Sequence, residues 1–220
     1  TVVSMNEFQV DGADSSCFNF AENSVVSLTE GSLEDCNTDG NSGDGAIVNV
    51  AGSTGGSLFL ENTTISNSYV NLIDVDLHMV TVSNVTATAT SAQTGEALGS
   101  SAGAGGEVVL NNFVADDYAS VSIDAIDMVM LTDVDFGSAA VSFYPGGLSS
   151  SSTTGASGDN AVFDDVTAGN MVLRNLQPGT FDDVTLGDLT ISGDPAVSST
   201  ALYLNSLDAG NVVISGCGWN

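Results

Sequence analysis

Phe163-Asp-Asp-Val-Thr-Ala168 returns almost unchanged a little further along as Phe181-Asp-Asp-Val-Thr-Leu186. Six further segments fit the same pattern: Leu28-Thr-Glu-Gly-Ser-Leu33, Leu60-Glu-Asn-Thr-Thr-Ile65, Val82-Ser-Asn-Val-Thr-Ala87, Leu110-Asn-Asn-Phe-Val-Ala115, Leu131-Thr-Asp-Val-Asp-Phe136 and Leu204-Asn-Ser-Leu-Asp-Ala209. The shared order is apolar, polar, Asn/Asp-like, mostly apolar, Thr/Ser/Asp-like, apolar. The short intervals, as from Leu60 to Val82, Leu110 to Leu131 or Phe163 to Phe181, define the repeating unit. Its length is roughly 20 residues, and self-similarity at such a period is the mark of a solenoid. The long intervals each hold a Gly/Ser-rich stretch (Asn37–Gly45, Thr90–Gly106, Pro145–Asp159), read as loops inserted into that unit.

The flanks of each segment say what the unit is made of. Short β-rich runs precede it, as in Val25-Val-Ser-Leu28, Ser57-Leu-Phe-Leu60 and Val129-Met-Leu131, and others follow, as in Tyr69-Val-Asn-Leu-Ile73, Ala140-Val-Ser-Phe143 and Asp188-Leu-Thr-Ile191. Strands this short bury no face alone, but stacked on their equivalents ~4.8 Å away they build long parallel sheets. The expected fold is all-β, a right-handed single-stranded parallel β-helix of about eight coils. One domain spans 1–220: a strand-like segment at 1–24, the repeat coils at 25–216 and a tail at 217–220.

The third position of the repeat holds Glu30, Asn62, Asn84, Asn112, Asp133, Asp165, Asp183 and Ser206. Asn and Asp tolerate left-handed backbone better than other non-Gly residues, which suits a sharp bend between two strands. Stacked amides can also hydrogen-bond along the column. The bend ladder is therefore expected at Asn62, Asn84, Asn112, Asp133, Asp165 and Asp183.

On these leucine–bend–valine rungs, over residues 25–216, the chain resembles the pectate-lyase-like right-handed β-helix superfamily. Its repetitive character is similar to that of surface and autotransporter-type adhesins. The resemblance implies a fold far more than an activity. The superfamily includes pectin-degrading enzymes, and Asn37-Thr-Asp-Gly40 matches one motif of the polygalacturonase-like glycosidases. In that family it works with an Asp pair, a Gly-His-Gly and an Arg-Ile-Lys segment. Here the only His is His78, the only Arg is Arg174 and Lys is absent. Lyase chemistry needs cations to neutralise a uronate, and one Arg is too few. The expectation is no enzyme, with a polysaccharide-active hydrolase or lyase as an alternative resting on the plentiful acids alone.

Composition narrows the partners. Twenty-eight acids against a single Lys/Arg give a formal charge of −27. Phosphate recognition needs clustered Lys or Arg, so nucleic acid is excluded as a partner. No apolar run approaches the ~20 residues that cross a bilayer, so membrane insertion is not expected. Strong self-repulsion suits salty or marine surroundings. The chain carries no initiator Met or leader pattern and reads as a mature product or an excised segment.

Four sets of residues stand out as sites. Asp164, Asp165, Asp182 and Asp183 occupy equivalent places on adjacent coils, where Ca²⁺ would relieve their repulsion; a solvated acidic edge is the alternative. Asn62-Thr-Thr and Asn84-Val-Thr are N-glycosylation sequons that double as bend positions. Ser149–Thr154 and the 90–106 stretch are candidates for O-glycans. Cys17 and Cys36, separated by close to one repeat, are either a disulfide between neighbouring coils or two buried thiols, which leaves Cys217 over. Thr63, Thr64, Thr86, Thr167 and Thr185 hint at an ice-binding face, but Val114, Asp135 and Asp208 interrupt their column. No His/Cys metal spacing exists. Both ends are strand-like, so the expected function is an extracellular or cell-surface filament subunit, a homopolymer stacked head to tail. The alternative is a surface adhesin that binds glycans.

Overall fold

The structure, a computed structural model, describes residues 1–21, 23–41, 44–49, 55–75, 77–89, 91–144, 160–174, 179–192 and 202–215. Among these the regular structure is all strand. The strands are β1 (Val2–Asn6), β2 (Gln9–Asp11), β3 (Phe18–Phe20), β4 (Val25–Glu34), β5 (Gly45–Asn49), β6 (Ser57–Ser66), β7 (Asn71–Val75), β8 (Met79–Thr88) and β9 (Glu96–Val114). They continue with β10 (Ser120–Asp135), β11 (Ala140–Tyr144), β12 (Asn160–Thr167), β13 (Met171–Arg174), β14 (Gly179–Ser192) and β15 (Leu202–Ser215). All belong to one 15-stranded sheet, and each pairing is parallel. Parallel neighbours joined by crossovers of about twenty residues, with no helix between them among the described residues, are compatible with a β-helix-like solenoid. Among the described residues no helix is long and apolar enough to cross a membrane.

The register resolves the sheet into three ladders. In the first, Met5, Leu28, Leu60, Val82, Leu110, Leu131, Phe163, Phe181 and Leu204 lie in one column. The leading residues of all eight repeat segments are thus stacked on one another. The second ladder aligns Gly31, Thr63, Val85, Phe113, Val134, Val166, Val184 and Leu207. The third aligns Phe18, Ile47, Ile73, Leu98, Val121, Val141, Met171, Leu189 and Val212. Alternation along each strand sends these columns inward, where they form one continuous apolar core. Aromatics stack within it: Phe163 lies 4.8 Å from Phe181 and 5.7 Å from Phe143, centroid to centroid.

Residues 1–24, expected to be strand-like, carry β1 and β2 in register on β4 and β3 in register on β5, and so add a further row to the ladders. Phe8 packs that row onto the next: a Cβ added at Gly31 would clash with the edge of the Phe8 ring, so glycine there gives the ring room. One stretch differs from the sequence reading. The stretch 90–106, expected as an inserted loop, enters β9 at Glu96. Ala97 and Leu98 are fully buried there, and Leu98 sits between Ile73 and Val121. Two apolar residues in a run of Gly, Ser and Ala suffice for a strand once neighbouring rows supply the template. The expected loop at 145–159 lies outside the described residues.

Candidate functional site

Each row turns from the first ladder into the second at one residue. Glu7, Glu30, Asn62, Asn84, Asn112, Asp133, Asp165, Asp183 and Ser206 all have φ between 50° and 58°. A left-handed residue rotates the chain sharply while the residues on either side stay extended. For an L-residue with a Cβ that conformation costs roughly 1–2 kcal/mol, least for Asn and Asp. A single such residue per row therefore separates two flat ladders.

The side chains of this column fall into two chemical blocks. Asn112 donates from Nδ2 to Asn84 Oδ1 at 3.0 Å, and Asn84 donates to Asn62 Oδ1 at 3.0 Å. An amide carries both a donor and an acceptor, so a column of them is self-satisfying. Below it stand Asp133, Asp165 and Asp183, which when ionised only accept. Like charges ~4.8 Å apart repel by roughly 0.9 kcal/mol in water.

The four acids singled out for Ca²⁺ lie along this edge without converging. Asp164 registers with Asp182, while Asp165, Asp164 and Asp183 point to solvent. Asp182 accepts a 2.6 Å hydrogen bond from Asn205 Nδ2. Among the described residues no group of three or more His, Cys, Asp or Glu is gathered to hold a metal ion. The arrangement is an acidic stripe, relieved where an amide intervenes.

The sequon asparagines Asn62 and Asn84 are exposed, as are the hydroxyl-bearing Thr64 and Thr86. Their amides belong to the ladder just described. Ser149–Thr154 lies outside the described residues. Cys17 and Cys36 are joined as a disulfide with Cα atoms 5.3 Å apart. It ties the first row to the second, with Cys36 fully buried. Cys217 lies outside the described residues.

Asn37 of Asn37-Thr-Asp-Gly40 is fully buried. Its Nδ2 donates to the carbonyls of Asn41, Asp44 and Tyr69, and its Oδ1 accepts from the Asn41 N–H. This residue organises a turn. His78 is exposed, and its carbonyl accepts from Glu107 N.

Two features went unread in the sequence. A second polar column runs where rows enter the third ladder: Asn170 Oδ1 accepts from Asp188 N at 3.0 Å, and Asp188 Oδ1 accepts from Asn211 N and Nδ2 at 2.8 Å. Its signal was present as the dipeptides Gly169-Asn170, Gly187-Asp188 and Gly210-Asn211. Tyr118, on the turn after β9, reaches back to donate its hydroxyl to Ser68 O. Burial of that phenol pushes its pKa above the ordinary range, so it remains a neutral donor.

The two outer rows hold most of the exposed large apolar side chains among the described residues. Among the described residues β15 pairs only with β14, and β1 only with β4. In β15 the core columns run on to the surface. Leu204 is 46% exposed although its row neighbour Phe181 is 0% exposed, and Val212 is 46% exposed over Leu189 at 0%. Ile214 above Ile191, Tyr203 and Val213 are exposed as well. At the other outer row, Val2 and Met5 are exposed. This pair of apolar parallel edges is the strongest candidate for a functional surface. Comparison with protein-family models, with curated proteins and with solved structures finds no match for this chain.

Proposed function

We propose that the chain is a right-handed parallel β-helix of nine coils and a non-enzymatic structural protein, built to assemble end to end into an extracellular or cell-surface filament. Parallel crossovers within one sheet are right-handed in nearly all known cases. The nine-member first ladder supports the coil count.

The observation that carries the reading is the course of the core columns. They run through the molecule and leave Leu204, Val212 and Ile214 in solvent at one end, on a long strand with a neighbour on one side only among the described residues. Natural proteins cover, charge or shorten such an edge. In β15 the apolar positions are kept and the row is full length. A parallel edge has a direction, so the contact it favours is head to tail, and a heterologous contact that does not close makes a fibre.

The Cys17–Cys36 disulfide supports an oxidising location such as the cell exterior. The charge of −27 supports a salty one, where screening lets copies approach.

Electron microscopy and analytical ultracentrifugation of the purified chain in high salt test the proposal. Fibres or a concentration-dependent rise in sedimentation coefficient are expected. A monomer at all concentrations and salt levels would remove it.

A further inference from the structure

The registers within the molecule define how two copies would meet, and this inference rests on the end-to-end reading above. The left-handed residues Glu7 through Ser206 form one column, with Asn6 on Thr29 and Gln9 on Ser32 fixing Glu7 over Glu30. We propose that the column continues across the junction, with Ser206 of one copy stacked on Glu7 of the next, so that the junction is one more row of the same ladder.

The first two ladders follow from that register, and continuing the third-ladder column sets the remainder. Leu204 falls on Met5, Leu207 on Phe8 and Ala209 on Val10; in the third ladder Val212 falls on Phe18 and Ile214 on Phe20. Each inward position is apolar on both sides. The Phe8 ring lies over Gly31 of its own molecule, so Leu207 of the next copy meets an aromatic ring. Outward positions pair Tyr203 with Ser4, Asn205 with Asn6, Asp208 with Gln9 and Val213 with Asn19. No carboxylate faces another, in a protein with 28 acids. Rows inside the molecule do stack acid on acid, as at Asp164 and Asp182. The amide pair Asn205–Asn6 extends the chemistry already seen between Asn205 and Asp182.

Neighbouring registers fail on the same residues. A shift of one residue exchanges inward and outward faces along the whole edge. A shift of two in one direction sets Asp208 against Glu7; in the other it sets Leu204 against the Glu7 bend. The occupant that satisfies the β15 edge is therefore the first row of a second copy of this chain.

Disulfide trapping reads the register directly. In a Cys217→Ser background, Ser4→Cys and Tyr203→Cys are made as separate proteins, both at exposed positions. In-register residues on neighbouring parallel strands have Cα atoms ~4.8 Å apart, inside the disulfide range, whereas a two-residue offset gives ~8 Å. Mild oxidation of the mixture should yield the S4C–Y203C dimer, and the double variant should yield a covalent ladder. Asn6→Cys mixed with Tyr203→Cys should cross-link at least tenfold less. Because the chain has one Arg and no Lys, the linked peptides are mapped with a protease that cuts at acidic residues. Sedimentation is run alongside. Association with Y203C–Y203C or N6C–Y203C as the main product would overturn the register and leave assembly standing. No association in any variant would overturn both.

Discussion

Each row turns from its first ladder to its second at one left-handed residue, and the column of those residues is where single substitutions are most informative. Asn84 hydrogen-bonds both above and below. Asn84→Gly keeps the conformation open and removes two exposed hydrogen bonds, while Asn84→Ala adds the cost of a Cβ in the left-handed region. We expect urea melts to place Ala about 1 kcal/mol below Gly, a difference that would vanish if the bend were not left-handed. The strand registers place Asp165 between Asp133 and Asp183. Asp165→Asn removes two repulsions and restores a donor, so it should stabilise by about 1 kcal/mol at low ionic strength, with the gain shrinking as NaCl rises. A destabilised Asn variant at low salt would mean that a cation already neutralises the column. The bends were legible in the sequence because Asn and Asp recur at one place in a repeated frame. Glu7 was not, because Met5-Asn6-Glu7-Phe8 shows no Asx there and its row lacks the flanking pattern.

At the scale of the element, strands with β-branched or aromatic residues beside a bend were readable, and strands embedded in Gly/Ser stretches were not. Gly45–Asn49 and the start of β9 are strands because rows on either side offer a template, a cause that local propensity does not carry. The first row is held by three short strands and by the Cys17–Cys36 bond, which links positions separated by 19 in the chain. The Cys17→Ser/Cys36→Ser variant should lose about 3 kcal/mol. Hydrogen exchange should show the loss confined to β1–β3, with β6–β10 unchanged; uniform deprotection would show that the rows melt as one unit. The same variant should assemble poorly, since β1–β3 form the seat for the next copy. Within the core, Phe163 touches Phe143 and Phe181 at once. Phe163→Ala should cost about 3–5 kcal/mol in a chemical melt, and a loss under about 1 kcal/mol would contradict the continuous aromatic stack.

For the whole molecule, the governing quantities are a charge of −27 and two apolar edges. Repulsion between copies is long-ranged and screened by salt, whereas edge pairing acts only at contact. Association should therefore strengthen at least tenfold between roughly 0.05 and 1 M NaCl, followed by light scattering. An assembly that dissolves on adding salt would point to ion pairing, which a chain with one Arg and no Lys is poorly built to make. In the proposed assembly, copies continue one another's ladders. Nine rows at ~4.8 Å give each copy a length of roughly 43 Å along the stack. Cryo-electron microscopy of the assembled protein measures this most directly: a polar filament is expected, with an axial rise of about 43 Å per copy and unbroken strand spacing through the junction. A rise of about twice that value, or particles that remain single at every salt concentration, would contradict it.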